Sequence, residues 1–261
     1  MRPDLLLWLI GGVAALAGGV LSLREVRQQG IRSRKTPLSP AFLACLGLAA
    51  VAAGLGWRGW QRGSWPGGAA AEALAWLAFG ALLATLWQLS EENASVTAFS
   101  LLGTGLLLCG LVASGMAVAL SAAQLPARGW LFGLRSLLVG LGTGGWLPVL
   151  AASLLELGAE RQGRASPYQS WPGRSALRFC YPWLTTACLA AGIWNLATHA
   201  IPWRTAPADL WLAVTWLLGA VYLHAIWDRQ TPRLPSGLLS TVALAGLASA
   251  LLAAWQVTTL F

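Results

Sequence analysis

Long apolar stretches with almost no charged residues follow one another along the 261 residues of this chain. A helix needs about 20 mostly apolar residues to cross the roughly 30 Å hydrocarbon core of a bilayer, and the sequence provides about eight such stretches. Backbone groups in lipid must be hydrogen-bonded within the spanning segment, and runs of this length are too long for barrel strands. We therefore predict an all-α, polytopic membrane protein. The stretches cover residues 4–23, 38–57, 70–90, 96–121, 132–156, 177–198, 209–228 and 236–259.

The composition excludes a soluble globule. Only 10% of the residues are charged and 57% are hydrophobic, which leaves too few charges to cover the surface of a soluble protein of this size. The first apolar stretch follows Met1 and Arg2, but neither a small-residue cleavage site nor a soluble domain comes after it. We expect a retained helix rather than a signal peptide, and a single integral membrane domain over residues 1–261.

Lys and Arg residues gather in the connections after the first, fifth and seventh stretches, which the positive-inside rule assigns to the cytoplasm. Both termini are then predicted on the outer side, periplasmic or lumenal, together with the connection between Trp194 and Trp211. The net charge of +8 is explained by this asymmetry and by anionic lipid headgroups, so we expect membrane lipids and no nucleic acid as partners. The basic residues of these connections are Arg24, Arg27, Arg32, Arg34, Lys35, Arg161, Arg164, Arg174, Arg178, Arg229 and Arg233.

Cysteine, glycine and acidic residues form no recognisable catalytic or metal-binding motif. The four cysteines lie inside predicted helices, where we expect them to pack as small apolar residues, with a haem thiolate at Cys180 as the alternative. The run Gly140 to Gly145 lacks the lysine of a phosphate-binding loop and indicates close helix packing. Glu72 lies about one turn inside the third predicted helix, where a carboxylate is either paired, with Arg58 or Arg62 nearest in sequence, or functional.

The segment from Trp194 to Arg229 contains both histidines of the chain and several of its 16 tryptophans. Indole rings favour the boundary between lipid and water, so the segment predicts a tryptophan shelf at the outer surface, between two membrane spans. We use the name tryptophan shelf for Trp194, Trp203, Trp211 and the connection between them.

The segment resembles the Trp-rich "WWD" segment of the CcsA branch of the cytochrome c assembly family, which includes HemX-like haem-handling membrane proteins. The resemblance spans residues 57–229, because three separated blocks agree in order and spacing. The matching positions are Trp194, Trp203, Pro207, Asp209, Trp211, Trp216 and Tyr222-Leu223-His224, with Tyr181-Pro182-Trp183-Leu184-Thr185 upstream and Gly63, Pro66 and Glu72 in the earliest block.

This resemblance implies a protein that carries haem across the bilayer and presents it on the outer side. It implies that the tryptophan shelf stacks on the porphyrin face and that His224 ligates the haem iron on the inward side. The cofactor-binding set implied in this way is His224, Trp194, Trp203, Trp211, His199, Glu72 and Asp209.

The sequence also departs from the family pattern. Thr205 and Ala206 stand where the family has its Trp-Asp step, and His199 stands at its first internal Trp. The family's outer haem ligands are two histidines that flank the shelf, and neither the fifth nor the last predicted helix contains a histidine. The segment therefore keeps the spacing of the family but lacks its flanking iron ligands.

The two histidines of this chain cannot hold one iron together. His224 lies about 15 residues after Asp209, which places it roughly 22 Å deeper in a helix, whereas His199 lies on the outer shelf. A second ligand would have to be a residue such as Met116, or one from a partner. Without haem, His224 would be hydrogen-bonded between helices or would snorkel near Asp228, and His199 would be an ordinary interfacial histidine.

Two functions follow. In the first, the chain is a haem-handling protein of the cytochrome c assembly type, in a bacterial-type plasma membrane or a thylakoid membrane. In the second, it is a degenerate member that acts as a non-catalytic scaffold or accessory subunit. The resemblance implies membrane subunits as partners, for example a CcsB/ResB-like protein or a larger complex. We expect no independent enzymatic activity.

Overall fold

The computed structural model describes residues 2–29, 38–63, 65–66, 69–89, 94–113, 130–163, 174–199, 206–227 and 235–256. Within these ranges the regular structure is helical and contains no strand, which confirms the predicted all-α, polytopic class. The helices are α1 (Pro3–Gln29), α2 (Leu38–Arg62), α3 (Ala70–Gln88), α4 (Ala94–Ala113), α5 (Trp130–Gly144), α6 (Trp146–Arg161), α7 (Arg174–His199), α8 (Pro207–Trp227) and α9 (Ser236–Trp255).

Each predicted span corresponds to a helical stretch, but one of these stretches is less apolar than a membrane span requires. In the described part of the chain, 7 helical stretches are long and apolar enough to cross a membrane. Helices α5 and α6 form one of them, Phe132–Arg161, because Gly145 between them keeps helical backbone angles. The predicted span 177–198 forms α7, which is not among the 7, and it carries polar side chains such as Arg178 and Asn195. The predicted span 96–121 is described only to Ala113.

Two helical segments form the interior of the bundle. Helix α3 packs against α2, α4, α5 and α9, and 72% of its most apolar window is buried, as is 72% of the α5–α6 window. For α8 the corresponding share is only 33%, so most of this helix faces outward. In a membrane, such an outward face contacts lipid or another protein.

Glycine permits α3 and α5 to approach each other at backbone distance. A Cβ atom on Gly80 would lie 2.0 Å from the carbonyl oxygen of Gly140, and one on Gly144 would lie 2.3 Å from the backbone nitrogen of Ala81. The close helix packing predicted from the run Gly140 to Gly145 is therefore confirmed. Small residues at such a crossing allow van der Waals contact between backbones, which is a main source of helix association in lipid.

Successive crossings alternate in direction, which brings certain helix termini together at each end of the bundle. We call the end where α1 begins, α2 ends and α8 begins the shelf end, because α7 and α8 meet the tryptophan shelf there. The other end, where α6 and α8 finish, is the opposite end. The sequence predicts that the shelf end faces outward.

Candidate functional site

A buried ion pair joins three helices at the shelf end of the bundle. The Nη2 group of Arg135 on α5 donates to Oδ1 of Asp209, in the first turn of α8. The side-chain amide of Asn195 on α7 donates to the other carboxylate oxygen of Asp209 at 2.9 Å. Arg135, Asn195 and Asp209 are only 4%, 1% and 7% exposed. Both carboxylate oxygens of Asp209 are thus engaged, and the three side chains tie α5, α7 and α8 together.

A small cavity lies beside this ion pair. Its volume is about 30 Å³, and its walls come from α3, α5, α8 and α9. Sites that enclose a drug-sized or larger ligand have volumes of about 300–1,000 Å³. The cavity therefore cannot take in a porphyrin ring, which would have to rest on the outside of the bundle. The lining residues are Ala73, Phe132, Arg135, Ser136, Val139, Ala208, Leu212, Ala253 and Ala254.

Two of the shelf tryptophans lie beside the ion pair, close in sequence to Asn195 and Asp209. Trp194 is half-buried, and its ring centroid lies 5.4 Å from that of Phe132. Trp211 is half-buried near the start of α8 and packs in a cluster with Leu184 and Leu212. Both indoles thus keep part of their surface open at the same end of the bundle.

The remaining shelf residues are described less fully. Trp203 lies outside the described residues. His199 is the last residue of α7, and its side chain is likewise not among those described. Met116, the sequence candidate for a second iron ligand, also lies outside the described ranges.

A second aromatic pair lies deeper along α7 and α8. The rings of Tyr181 and Trp216 are stacked with centroids 6.1 Å apart, and the indole N–H of Trp216 donates to the Thr185 hydroxyl at 3.1 Å. These residues belong to two of the three blocks that carry the family resemblance. Their contacts hold α7 against α8 below the shelf.

His224 lies near the opposite end and faces away from the bundle. It is exposed one turn before the end of α8, on the same face as Leu217 and Val221, which are each 55% exposed. The expectation of a histidine hydrogen-bonded between helices is wrong, because the spacing 217, 221, 224 places all three side chains on the outward face. The alternative partner Asp228 lies outside the described residues. Any iron bound by His224 would therefore lie on the outer surface of α8.

Glu72 belongs to a separate buried cluster at the shelf end. Its carboxylate forms ion pairs with Arg62 and with Arg58, the latter at 3.6 Å, and Arg58 also pairs with Asp4 of α1. The Arg58 guanidinium lies 4.3 Å from the centre of the Trp8 ring. The structural pair expected for Glu72 is thus present. It joins the ends of α1, α2 and α3 rather than the tryptophan shelf.

Glu72 also caps the helix on which it lies. Its Oε2 accepts from the backbone N–H of Ala69 at 3.4 Å, just before α3 begins. A negative side chain in the first turn of a helix interacts favourably with the positive end of the helix dipole. The side chain is 0% exposed, so the ion pairs and this cap replace its contacts with water.

Sequence reasoning placed Arg135 in or near a helix but did not identify its partner. An arginine within an apolar span requires a buried counter-charge or a polar cavity. This requirement could have indicated an acidic partner for Arg135, and Asp209 is an acidic residue of the segment that resembles the family. Asp4 had no comparable signal, because its partner Arg58 lies 54 residues away in the chain.

The described residues offer no obvious metal centre. No group of three or more His, Cys, Asp and Glu side chains comes together among them. The four cysteines are free thiols, and Cys180 is fully buried. A Cβ atom placed on Gly145 would lie 2.4 Å from the Cys180 sulfur, so this thiol packs directly against the α5–α6 junction. This contact agrees with the expectation that Cys180 packs as a small apolar residue.

Comparison with known proteins gives one partial relationship. No protein-family model matches the chain. Over 107 residues it is 29% identical to the cytochrome c biogenesis protein CcsA of Thermosynechococcus vestitus. The chain is similar to a cytochrome c biogenesis protein. The match covers 41% of this chain and 33% of that relative, so the chain spans about a third of the protein that it matches.

Proposed function

We propose that this chain is a haem-handling membrane protein of the cytochrome c biogenesis type, which presents haem at the tryptophan shelf. The similarity to CcsA carries the proposal, together with the position of Trp194 and Trp211 at one end of the bundle. Flat indole surfaces that stay partly open at a lipid–water boundary suit a porphyrin face. In this proposal haem is cargo, and the chain binds and orients it without an enzymatic step of its own.

Haem would contact the outside of the bundle in this proposal, because the internal cavity of about 30 Å³ is too small for it. At the shelf end, Trp194, Trp203 and Trp211 would cover one porphyrin face, and His199 would lie next to it. At the opposite end, the exposed imidazole of His224 would ligate an iron that lies against α8. The iron would take its second ligand from outside the described residues or from a partner subunit.

Glu72 and Asp209 would act indirectly in such a site. Both carboxylates pair with arginine, and each lies in the first turn of a helix that begins at the shelf end of the bundle. Their proposed role is to position α3 and α8, and through α8 the Trp211 indole. The chain would work in a bacterial-type plasma membrane or a thylakoid membrane, beside a partner such as a CcsB/ResB-like subunit.

A second candidate function is that of a non-catalytic scaffold or accessory subunit. One observation favours it: the buried partner of Asp209 is Arg135, and a guanidinium group does not ligate iron. The outward face of α8 would then contact another subunit rather than haem, with His224 as a polar contact. Both candidate functions place the working surface outside the bundle.

Visible absorption of the purified protein separates the two candidates. Haem handling predicts a Soret band that is lost or strongly shifted in His224→Ala. Val221→Ala is the matched control, because Val221 lies on the same outward face and provides no ligand. In His224→Gly, added imidazole is expected to restore the band. A colourless wild-type protein that purifies in fixed ratio with other membrane subunits sinks the haem proposal and supports the accessory role.

A further inference from the structure

The guanidinium of Arg135 is incompletely paired although it is almost completely buried. Nη2 donates to Asp209, whereas Nε and Nη1 have no hydrogen-bond partner among the described residues. Only 4% of the residue is exposed. A buried donor without an acceptor destabilises the folded protein, and more so when the group is charged. Asp209 accepts from Nη2 through one oxygen and from Asn195 through the other, and neither oxygen forms a hydrogen bond with Nε or Nη1.

These free donors belong to a residue that lines the cavity. The cavity volume of about 30 Å³ exceeds the roughly 10–15 Å³ that one water molecule requires on the same measure. Among the described residues that line it, the one polar side chain besides Arg135 is Ser136, whose hydroxyl donates to the Phe132 carbonyl. The cavity thus has room for a small polar group, and the wall supplies hydrogen-bond donors for it.

The helices around the cavity also favour negative charge. Three of them present their first turns to it: Ala73 lies in the start of α3, Phe132 in the start of α5 and Ala208 in the start of α8. Only α9 presents its C-terminal turn, through Ala253 and Ala254. Helix N-termini carry partial positive charge and bind anions. The charges of Arg135 and Asp209 offset each other. The partial positive charges of the helix N-termini, together with the free N–H groups, therefore favour an anion in the cavity.

We propose that the cavity beside the Arg135–Asp209 ion pair is a binding site for a small anion of carboxylate size, held by Nε and Nη1 of Arg135. A carboxylate matches the fork of N–H groups on a guanidinium, which is the geometry of strong charge-assisted hydrogen bonds. The apolar remainder of the wall, formed by Ala73, Val139 and Leu212, excludes hydrated cations and large ions. The ligand is either a free small carboxylate or the carboxylate head of a longer chain.

Formate is a suitable probe, because it carries a carboxylate and almost nothing else. The thermal unfolding midpoint of the purified protein in detergent is measured by tryptophan fluorescence, while formate replaces bulky gluconate at constant ionic strength. The proposal predicts a saturable rise of roughly 5 °C, since a ligand that binds only the folded state stabilises it. No haem takes part, so this result stands or fails separately from the proposed function.

Two variants test where formate binds. Ala253→Val fills the cavity and leaves the ion pair untouched, and it is expected to abolish the rise. Ala245→Val is its matched control, because Ala245 lies on the same helix but is exposed. The double variant Arg135→Gln with Asp209→Asn keeps amide hydrogen bonds in place of the charges, and it is also expected to lose the response. An unsaturable rise, or the same rise in wild type and Ala253→Val, overturns the proposal.

The source of the carboxylate is distinguished with octanoate, and methyl octanoate serves as the uncharged control. Competition by octanoate, but not by its ester, supports the site with the head of a longer chain as ligand. Saturable formate binding that octanoate does not affect supports the site with a free small anion as ligand. Equal competition by octanoate and its ester contradicts an anion site, because the ester has no charge to bind.

Discussion

The carbonyl oxygen of Gly140 occupies the place where a side chain on Gly80 would begin, 2.0 Å from an ideal Cβ position. This contact brings α3 and α5 together along the centre of the bundle. Gly80→Ala must therefore push the helices apart or bend one of them. We expect a loss of about 3 kcal/mol in the free energy of unfolding, at the upper end of the range for overpacked cores.

Thermal unfolding in detergent measures this loss. Gly56→Ala is the matched control, because Gly56 is also helical but has nothing within 4 Å of its Cβ position. Alanine is favoured over glycine in a helix by roughly 0.5–1 kcal/mol, so the control should be neutral or slightly more stable. Equal unfolding midpoints for the two variants would show that α3 and α5 do not approach each other at Gly80.

The Arg135–Asp209 pair yields a second prediction. Arg135→Ala leaves the Asp209 carboxylate buried with Asn195 as its remaining side-chain partner, and such broken pairs cost about 3–5 kcal/mol. The double variant Arg135→Met with Asp209→Leu removes both charges and should recover most of that loss, because apolar residues of similar size replace buried pairs well. A double-mutant cycle on the unfolding free energy measures the coupling. Strictly additive effects would contradict a direct contact between the two side chains.

The Glu72 cluster predicts an order among its arginines. Arg58 pairs with both Asp4 and Glu72 and its side chain is 3% exposed, whereas the Arg62 side chain is 28% exposed. Arg58→Ala should therefore destabilise the protein more than Arg62→Ala, because water can partly replace the Arg62 contacts. The unfolding midpoints of the two variants give the comparison. The reverse order would place the main support of Glu72 at Arg62.

His224 provides the fourth prediction. Because its side chain is exposed on the outward face of α8, His224→Leu should change the unfolding free energy by no more than about 0.5 kcal/mol. A loss above 2 kcal/mol would indicate a partner within the chain and would argue against a role at the outer surface. Far-UV circular dichroism during heating measures the change, and Val221→Leu controls for substitution on the same face.

Residue patterns predicted the local features of this fold because lipid limits the choices of the backbone. Helices fill the positions of the apolar stretches, and the run Gly140 to Gly145 indicated a close crossing before its partner helix was known. A pair between Glu72 and Arg58 or Arg62 was one of the two alternatives, since these residues are close in sequence and an unpaired buried carboxylate is costly, and Glu72 pairs with both. In each case, a local pattern and the physics of the bilayer were sufficient.

The orientation of side chains around a helix was harder to predict. A hydrogen bond between helices was one of the alternatives for His224, yet its side chain faces outward, because α7 and α9 decide which side of α8 packs inward. Helix α8 carries apolar side chains on all of its faces, so hydrophobicity alone does not distinguish its lipid face from its packed face. The tertiary structure resolves this through burial: Tyr222 is 0% exposed while Val221, its neighbour in sequence, is 55% exposed.

By itself, the sequence determined the class of the protein, the positions of its membrane helices and the resemblance that leads to haem. Those properties depend on composition and on spacing along the chain. Only the tertiary structure decided that Arg135 lies against Asp209, that a small cavity with unpaired donors lies beside this pair, and that His224 faces outward. These are contacts between helices far apart in sequence, and the packing of the whole bundle selects them.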